Sequence, residues 1–197
     1  GYRVSFGNAH PSGGKFFAYG YKANFQPTVG EFGTISIDFD SFTDLWDDAT
    51  GNAIKTCKED SQYCPDEKTL KNIKTFSIWA EGVAGDVHLE IKSVGATGCP
   101  ETLLLNQENN SDDVTLENFE SPVHSYKQMN DPVMGGESTG TFNIENGVGI
   151  FDGKVVDVPS LKAPGFIKVS TSDGFFSSKS YPDISSCKSF TITAKAS

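Results

Sequence analysis

The sequence has no hydrophobic run long enough to cross a membrane. Its longest stretch of consecutive aliphatic residues is Leu103–Leu105, whereas a spanning helix needs about 20 apolar residues. Cations are also scarce, because 16 Lys and Arg face 26 Asp and Glu, for a formal net charge of −10. An acidic chain repels nucleic-acid phosphates and anionic lipid. We therefore expect neither a nucleic-acid partner nor membrane insertion.

An initiator Met and a leader segment are also missing. Gly1 opens directly into Tyr2–Phe6, which is typical of a strand, and no charged segment followed by an apolar one begins the chain. We interpret the chain as a processed product or a piece of a longer protein. With 197 residues it is long enough to bury a sizeable core, as one large domain or two small ones.

Helical periodicity is scarce, and the dominant hydrophobic period is two. Alternation in residues 3–7, Thr34–Phe39, Val87–Lys92 and Phe190–Lys195 predicts strands with one buried and one solvent-facing side. Only Glu67–Ile73 could form about two turns of helix. Further candidate strands are 15–25, 75–81, 140–144, 148–156 and 165–170. Many short strands between turn residues predict an all-β fold, an antiparallel sandwich of jelly-roll type.

A polar segment at residues 102–115 interrupts this pattern near the middle of the chain. It contains no aromatic residue, and it reads as a linker or a long surface loop. It divides the chain into segments 1–101 and 116–197. Within it, Asn109 begins an Asn-x-Ser sequon and is a candidate glycosylation site.

Four cysteines allow three pairings. Cys57 and Cys64 flank a short polar stretch, which favours a local disulfide and would leave Cys99 and Cys187 for each other. Zinc is less favoured, because no Cys-x-x-Cys spacing occurs. An even cysteine count in a polar, Gly-rich chain indicates an oxidising compartment, with four reduced thiols as the alternative.

Two groups of side chains are candidates for ligand binding, and no cofactor is expected to be required. Tyr19, Tyr21 and Trp46 could stack on a sugar ring, although a core position is the favoured alternative for any single one of them. Clustered carboxylates could hold a structural Ca²⁺, although their spacing does not match an EF-hand and a solvated acidic loop is the favoured alternative. These carboxylates are Asp38, Asp40, Asp44, Asp47 and Asp48.

The segment after residue 115 carries a longer motif. Residues 130–138 read Asn-Asp-Pro-Val-Met-Gly-Gly-Glu-Ser, which resembles the signature of the complex I intermediate-associated protein 30 family. The resemblance implies a galactose-binding-like β-sandwich, related to family 11 carbohydrate-binding modules. We interpret the motif as structural rather than catalytic, with glycines in a tight turn to which the Asn and Asp hydrogen-bond. The residues concerned are Asn130, Asp131, Gly135, Gly136 and Ser138.

The remainder of that family's pattern lies before the linker rather than after it. The segments that resemble its later strands are Tyr2–Val4, Ile37–Phe42, Phe76–Gly82 and Gly85–Ile91. Residues 1–101 therefore resemble the C-terminal half of one sandwich and 116–197 the N-terminal half, in swapped order. Half a sandwich exposes unpaired strand edges. Either the halves close on each other as a circular permutant, or a neighbouring copy completes each half head-to-tail, or the chain is one period of a tandem array.

Three hypotheses for function follow. The first is a non-enzymatic structural or adhesive repeat module, extracellular or on the cell surface, that assembles in series with copies of itself by sandwich completion. The second is a carbohydrate-binding module with glycans as partners. The third, implied by the resemblance, is an assembly factor for a respiratory or photosynthetic complex, in an organelle lumen or mitochondrion. The three histidines lie apart from any nucleophile motif, so we expect no enzyme activity.

Overall fold

The computed structural model describes residues 1–7, 20–100, 113–131, 135–172 and 181–197. Asn109 and Tyr19 lie outside these ranges, so the predicted glycosylation and the stacking role of Tyr19 stay predictions. The strands, in chain order, are β1 (Tyr2–Gly7), β2 (Tyr21–Phe25), β3 (Thr28–Val29), β4 (Gly33–Asp38), β5 (Thr75–Glu81), β6 (Gly85–Thr97), β7 (Asp113–Asn118), β8 (Ser125–Asn130), β9 (Thr139–Glu145), β10 (Val148–Val155), β11 (Asp157–Val158), β12 (Ala163–Pro164), β13 (Phe166–Ser172) and β14 (Ser189–Ala196).

Two sheets pack face to face. The first has five strands in the order β2-β1-β5-β13-β8. The second has seven strands, of which β6 is central and pairs with β14, β10 and β7. Strand β14 also pairs with β3 and β4, and β10 also pairs with β9. The ladders of these sheets are antiparallel apart from the short parallel pairing of β3 with β14. The predicted all-β sandwich is therefore confirmed.

Both sheets combine strands from the two halves of the chain. In the first sheet Ile78 lies opposite Val4 on one side and Val169 on the other. In the second, Leu89 lies opposite Phe151 and Ala196. The strands of the two halves thus pair within one chain, which removes the structural reason for one of the three alternatives, head-to-tail completion by a neighbouring copy. Self-association and a swapped order relative to the family stay predictions.

The core lies between the sheets and follows the alternation of the strands. Phe190, Ile192 and Ala194 of β14 are fully buried. The ring of Phe190 stacks on that of Phe6 from the opposite sheet, with centroids 5.6 Å apart. Burying each large side chain of this kind stabilises the fold by about 1.5–3 kcal/mol.

Several element boundaries differ from the sequence-based expectation. β7 begins at Asp113, so the last three residues of the predicted linker belong to a strand. Helix α1 covers only Glu67–Leu70, where Asp66 caps it by accepting from the backbone N–H of Thr69 at 2.7 Å. Single-turn 3₁₀ helices occupy Phe39–Ser41 and Ser61–Tyr63. In the described ranges, these helices are too short to traverse a bilayer.

The expectation that one side of the strand faces solvent is wrong for β1, and the same side of the neighbouring strand β2 is also buried. Arg3 and Ser5 point away from the core and are nevertheless buried, as is Lys22 of β2. The segment Thr43–Ala53 covers this outer face, as described below, and we call it the covering loop. A second buried layer therefore exists outside the five-stranded sheet.

Candidate functional site

Four charged side chains are buried on the outer face of the five-stranded sheet. Lys22 is 2% exposed, Arg3 and Lys168 are each 5% exposed, and Glu81 is 6% exposed. Arg3 and Lys168 stand on either side of Trp79 in adjacent strands, so the three side chains share one face. We call these four charged residues, together with Trp46 and Trp79, the buried charge cluster.

Glu81 is the carboxylate around which two of the cations gather. Lys22 Nζ lies 2.7 Å from Glu81 Oε1, and Arg3 Nη1 lies 3.7 Å from the same oxygen. Arg3 also donates through Nη1 to the Glu81 carbonyl at 2.9 Å and through Nη2 to Asn52 Oδ1 at 2.7 Å. Since Asn52 belongs to the covering loop, Arg3 joins that loop to the sheet.

The two tryptophans of the chain enclose the Lys22 ammonium. Its Nζ lies 3.6 Å from the ring centroid of Trp46 and 3.9 Å from that of Trp79. Lys168 Nζ lies 4.5 Å from the Trp79 ring. Cation–π attraction of this kind partly replaces the water that burial removes from the ammonium groups. Trp79 is fixed in place because its Nε1 donates to Ser5 Oγ at 2.8 Å.

The covering loop is attached to the sheet by backbone pairing and by one glycine. The N–H of Lys22 donates to the Thr43 carbonyl at 2.8 Å, and the Thr43 N–H donates to the Lys22 carbonyl at 3.1 Å. Gly51 has φ +70, and a Cβ there would lie 2.2 Å from Glu81 Oε1. Only glycine therefore lets the loop approach the carboxylate this closely.

Burial changes the proton affinity of these cations. Loss of solvation lowers the pKa of Lys22, and the adjacent Glu81 opposes that change. Burial, followed by repulsion from Lys22, lowers the pKa of Lys168 to about 8. A lysine whose folded pKa lies below its unfolded value of about 10.4 releases its proton more readily in the folded state.

Stability should consequently rise with pH above 8. Between the folded pKa of Lys168 and its unfolded pKa, the unfolded chain binds more protons, so the free energy of unfolding increases with pH. We expect urea denaturation between pH 7.5 and 10 to show this rise, and Lys168→Met to reduce it. Lys154→Met, at an exposed position, should leave the slope unchanged. Equal slopes in Lys168→Met and the unsubstituted chain would contradict the expectation.

A second buried polar group lies in the 130–138 motif. Asp131 Oδ1 accepts from the Ser138 N–H at 2.9 Å, and Oδ2 accepts from Ser138 Oγ at 2.6 Å and from the Phe166 N–H at 3.2 Å. Ser138 Oγ in turn accepts from the Val156 N–H at 2.9 Å. The carboxylate therefore joins the end of β8 to the start of β13, an arrangement that supports the structural interpretation of the motif.

The glycines near this carboxylate leave room for it. A Cβ at Gly136 would lie 2.2 Å from Asp131 Cγ, and a Cβ at Gly165 would lie 1.5 Å from Asp131 Oδ2. Gly135 has φ +78, which favours glycine at the turn. Asn130, the first residue of the motif, lies in β8 opposite Ile167.

Two histidines pair with carboxylates at separate places. His88 Nδ1 lies 2.5 Å from Asp152 Oδ1 on the outer face of the seven-stranded sheet, and this hydrogen bond raises the pKa of His88. His124 Nδ1 lies 2.8 Å from Glu117 Oε2. Glu117 is buried and also accepts from the Tyr126 hydroxyl at 2.8 Å. Both pairs connect strands or strand ends, so each serves the packing of the sandwich.

Both predicted disulfides are confirmed. Cys57 bonds to Cys64 across a separation of 7 residues, and Cys99 bonds to Cys187 across 88. All four cysteines of the chain are thus oxidised.

The five aspartates predicted as Ca²⁺ ligands face different partners. Asp38 accepts from Ser189 Oγ at 2.6 Å, and Asp47 accepts from the N–H of Thr50 at 2.8 Å within its own turn. Burial raises the pKa of Asp44. No group of three or more potential ligands that could hold a metal ion occurs in the ranges the structure describes. A Ca²⁺ site built from Asp38, Asp40, Asp44, Asp47 and Asp48 therefore stays a prediction.

The described candidates for sugar stacking are not exposed. Tyr21 is buried against Phe6, and its hydroxyl donates to Asp66 Oδ2 at 3.2 Å. Trp46 is buried over Lys22. Neither ring presents a face to a ligand, because both are already covered by protein.

Comparison with known proteins gives one family. The model of the family described as Complex I intermediate-associated protein 30 (CIA30) matches residues 117–197. No curated protein and no solved structure matches the chain. The matched part runs from β7 to β14 and contains both Asp131 and Lys168. Through its residues 117–197, the chain is similar to the Complex I intermediate-associated protein 30 family.

Proposed function

We propose that this protein is a non-enzymatic binding module that takes part in the assembly of a respiratory or photosynthetic complex. The observation that carries the proposal is the match of residues 117–197 to a family whose name refers to an intermediate of complex I. Because one fold can host many functions, the match suggests the role and experiment has to test it.

The polar groups of the two buried sites support binding rather than catalysis. Asp131 and Ser138 bond to each other and to backbone N–H groups, and Glu81 is enclosed by Arg3 and Lys22. Groups that hold the fold in this way are not free to transfer protons or to attack a substrate. A protein that acts by binding through its surface needs no reactive catalytic groups.

Other hypotheses lose their motivation. Assembly in series required halves that need a neighbour, whereas β5 and β6 pair with strands of the other half in the same chain. Carbohydrate binding required exposed rings, whereas Tyr21 and Trp46 are buried. We therefore propose neither as the main function.

The disulfides support an oxidising location. Two disulfides in one chain are typical of compartments in which thiols are not kept reduced. We propose an oxidising organelle compartment, such as a lumen or an intermembrane space. Alkylation of intact organelles, followed by mass spectrometry, should find all four cysteines protected until a reductant is added.

The assembly role can be tested by deletion in the source organism. Native gels of solubilised membranes should show less mature complex and more sub-complexes, with the tagged chain migrating alongside the latter. Re-expression of the unsubstituted chain, or of Lys154→Met as a surface control, should restore the mature complex. Unchanged complex levels, with the tagged chain migrating only as a 21.2 kDa monomer, would reject the proposal.

A further inference from the structure

The two disulfides lie in contrasting surroundings. Cys99 is 5% exposed and Cys187 is 8% exposed. They lie where the main ladder of the seven-stranded sheet ends, beside the hydrogen bond from the Lys188 N–H to the Thr97 carbonyl. Cys57 and Cys64, by contrast, are only partly buried and lie outside both sheets. A reductant therefore reaches Cys57–Cys64 more easily than Cys99–Cys187.

The partly buried disulfide follows the covering loop and lies beside the base of that loop. The Cys57 N–H donates to the Phe42 carbonyl at 3.0 Å, and the Lys58 N–H donates to the Asp40 carbonyl at 2.8 Å. The returning chain thus lies against the residues that precede the loop. Directly after the loop, the Ile54 N–H donates to the Leu45 carbonyl at 3.0 Å, so the two arms of the loop are joined near their base.

The other cysteine is held by the sheet. Two residues after Cys64, Asp66 accepts from the Tyr21 hydroxyl at 3.2 Å and caps α1. Tyr21 precedes Lys22 in β2 and is buried in the core. The Cys57–Cys64 bond therefore connects the segment that follows the covering loop to a segment anchored through Asp66 to β2, the strand that contains Lys22.

We propose that Cys57–Cys64 is a redox-sensitive strap that holds the covering loop over the buried charge cluster. A dithiol reductant opens it by thiol–disulfide exchange: one thiolate attacks a sulfur of the strap to form a mixed disulfide, and the second thiol of the reductant then displaces the remaining protein thiolate. Two electrons and two protons end on Cys57 and Cys64, and the reductant leaves as a disulfide. Cys99–Cys187 stays oxidised and preserves the sandwich.

Opening the strap exposes an unusual surface on an acidic protein. The cross-link restricts the conformations that the loop can reach once it leaves the sheet, so its removal favours the open state. The open state uncovers Lys22 and Arg3 beside the ring of Trp79, while Trp46 leaves with the loop and its ring becomes exposed to solvent. This cationic and aromatic surface is suited to an acidic protein segment.

The full oxidised chain allows a direct test. Dithiothreitol is added in steps, thiols are trapped with an alkylating agent, and mass spectrometry identifies the labelled cysteines. We expect Cys57 and Cys64 to be labelled before Cys99 and Cys187. At the concentration that opens only the strap, iodide should quench tryptophan fluorescence more strongly, because both tryptophans of the chain lie in the cluster.

Hydrogen exchange locates the change. Exchange of the Thr43 and Gly51 amides should accelerate by on the order of tenfold after selective reduction, while that of Ile192 in β14 stays constant. Cys57→Ser with Cys64→Ser should reproduce the effect without a reductant. Earlier labelling of Cys99 and Cys187 would overturn the proposal, and so would unchanged quenching and exchange in the selectively reduced chain.

Discussion

Replacing Cys99 and Cys187 together by Ala is expected to lower the free energy of unfolding by about 4–5 kcal/mol. The disulfide spans 88 residues, and cross-linking so long a loop removes much conformational entropy from the unfolded chain. It also joins the end of β6 to the start of β14, the two most central strands of the larger sheet. Because domains have only about 5–15 kcal/mol of stability, this variant should be close to unfolding.

Guanidinium denaturation followed by circular dichroism checks the expectation. The matched control replaces Cys57 and Cys64 by Ala, which opens a separation of only 7 residues. That variant should lose about 2 kcal/mol, since the entropy of a closed loop grows with the logarithm of its length. Equal losses in the two double variants would show that loop length does not set the contribution of the longer disulfide.

The sequence predicts best those strands whose own side chains alternate. β14 follows from Phe190–Lys195, where every second residue enters the core. β8 escapes prediction because its sequence, Ser-Tyr-Lys-Gln-Met-Asn, is largely polar and exposed. Its strand conformation comes from pairing with β13, where Met129 lies opposite Lys168. A partner that lies 39 positions away in the chain leaves no local pattern to read.

The buried charge cluster also depends on long-range contacts that leave no local sequence pattern, and to a greater extent than β8 does. Lys22 and Glu81 are separated by 59 positions, and each occupies a place in its strand that alternation assigns to solvent. The covering loop lies over this face and buries both side chains. Trp46 within the acidic stretch, and Trp79 two residues before Glu81, are the only local hints that this face is covered. The sequence leaves Trp46 open as a sugar-stacking candidate or a core residue, because nothing local places Lys22 beneath its ring.

The 130–138 motif was more accessible to prediction, since most of its contacts are local. Asp131 and Ser138 are seven positions apart and bond to each other through side chain and backbone. The distant partner, the Phe166 N–H, could not be foreseen. The hydrogen bond from the Phe166 N–H to Asp131 connects this local turn, at the end of β8, to the start of β13.

Gly165→Ala is expected to destabilise the protein by at least about 3 kcal/mol, because the new Cβ would lie 1.5 Å from Asp131 Oδ2 and the carboxylate would have to leave its donors. Asp131→Ala should cost about 3–5 kcal/mol, since the buried N–H groups of Ser138 and Phe166 lose a charged acceptor. Guanidinium denaturation of both single variants measures these losses.

The double variant Asp131→Ala with Gly165→Ala tests whether the cost of Gly165→Ala comes from a clash with the Asp131 carboxylate or from a general intolerance of change at Gly165. Once Asp131 is Ala, the nearest obstacle to the Gly165 Cβ is gone and only the Ser138 hydroxyl, 2.8 Å from that Cβ and free to rotate once the carboxylate is absent, remains close. The second substitution should therefore add much less than its cost alone, with a coupling energy of about 2–3 kcal/mol. Asp86→Ala, which removes an exposed carboxylate on β6, is the matched background in which Gly165→Ala should keep its full cost. If Gly165→Ala costs the same in both backgrounds, the Asp131 carboxylate does not determine the glycine, and the connection between β8 and β13 must depend on other contacts.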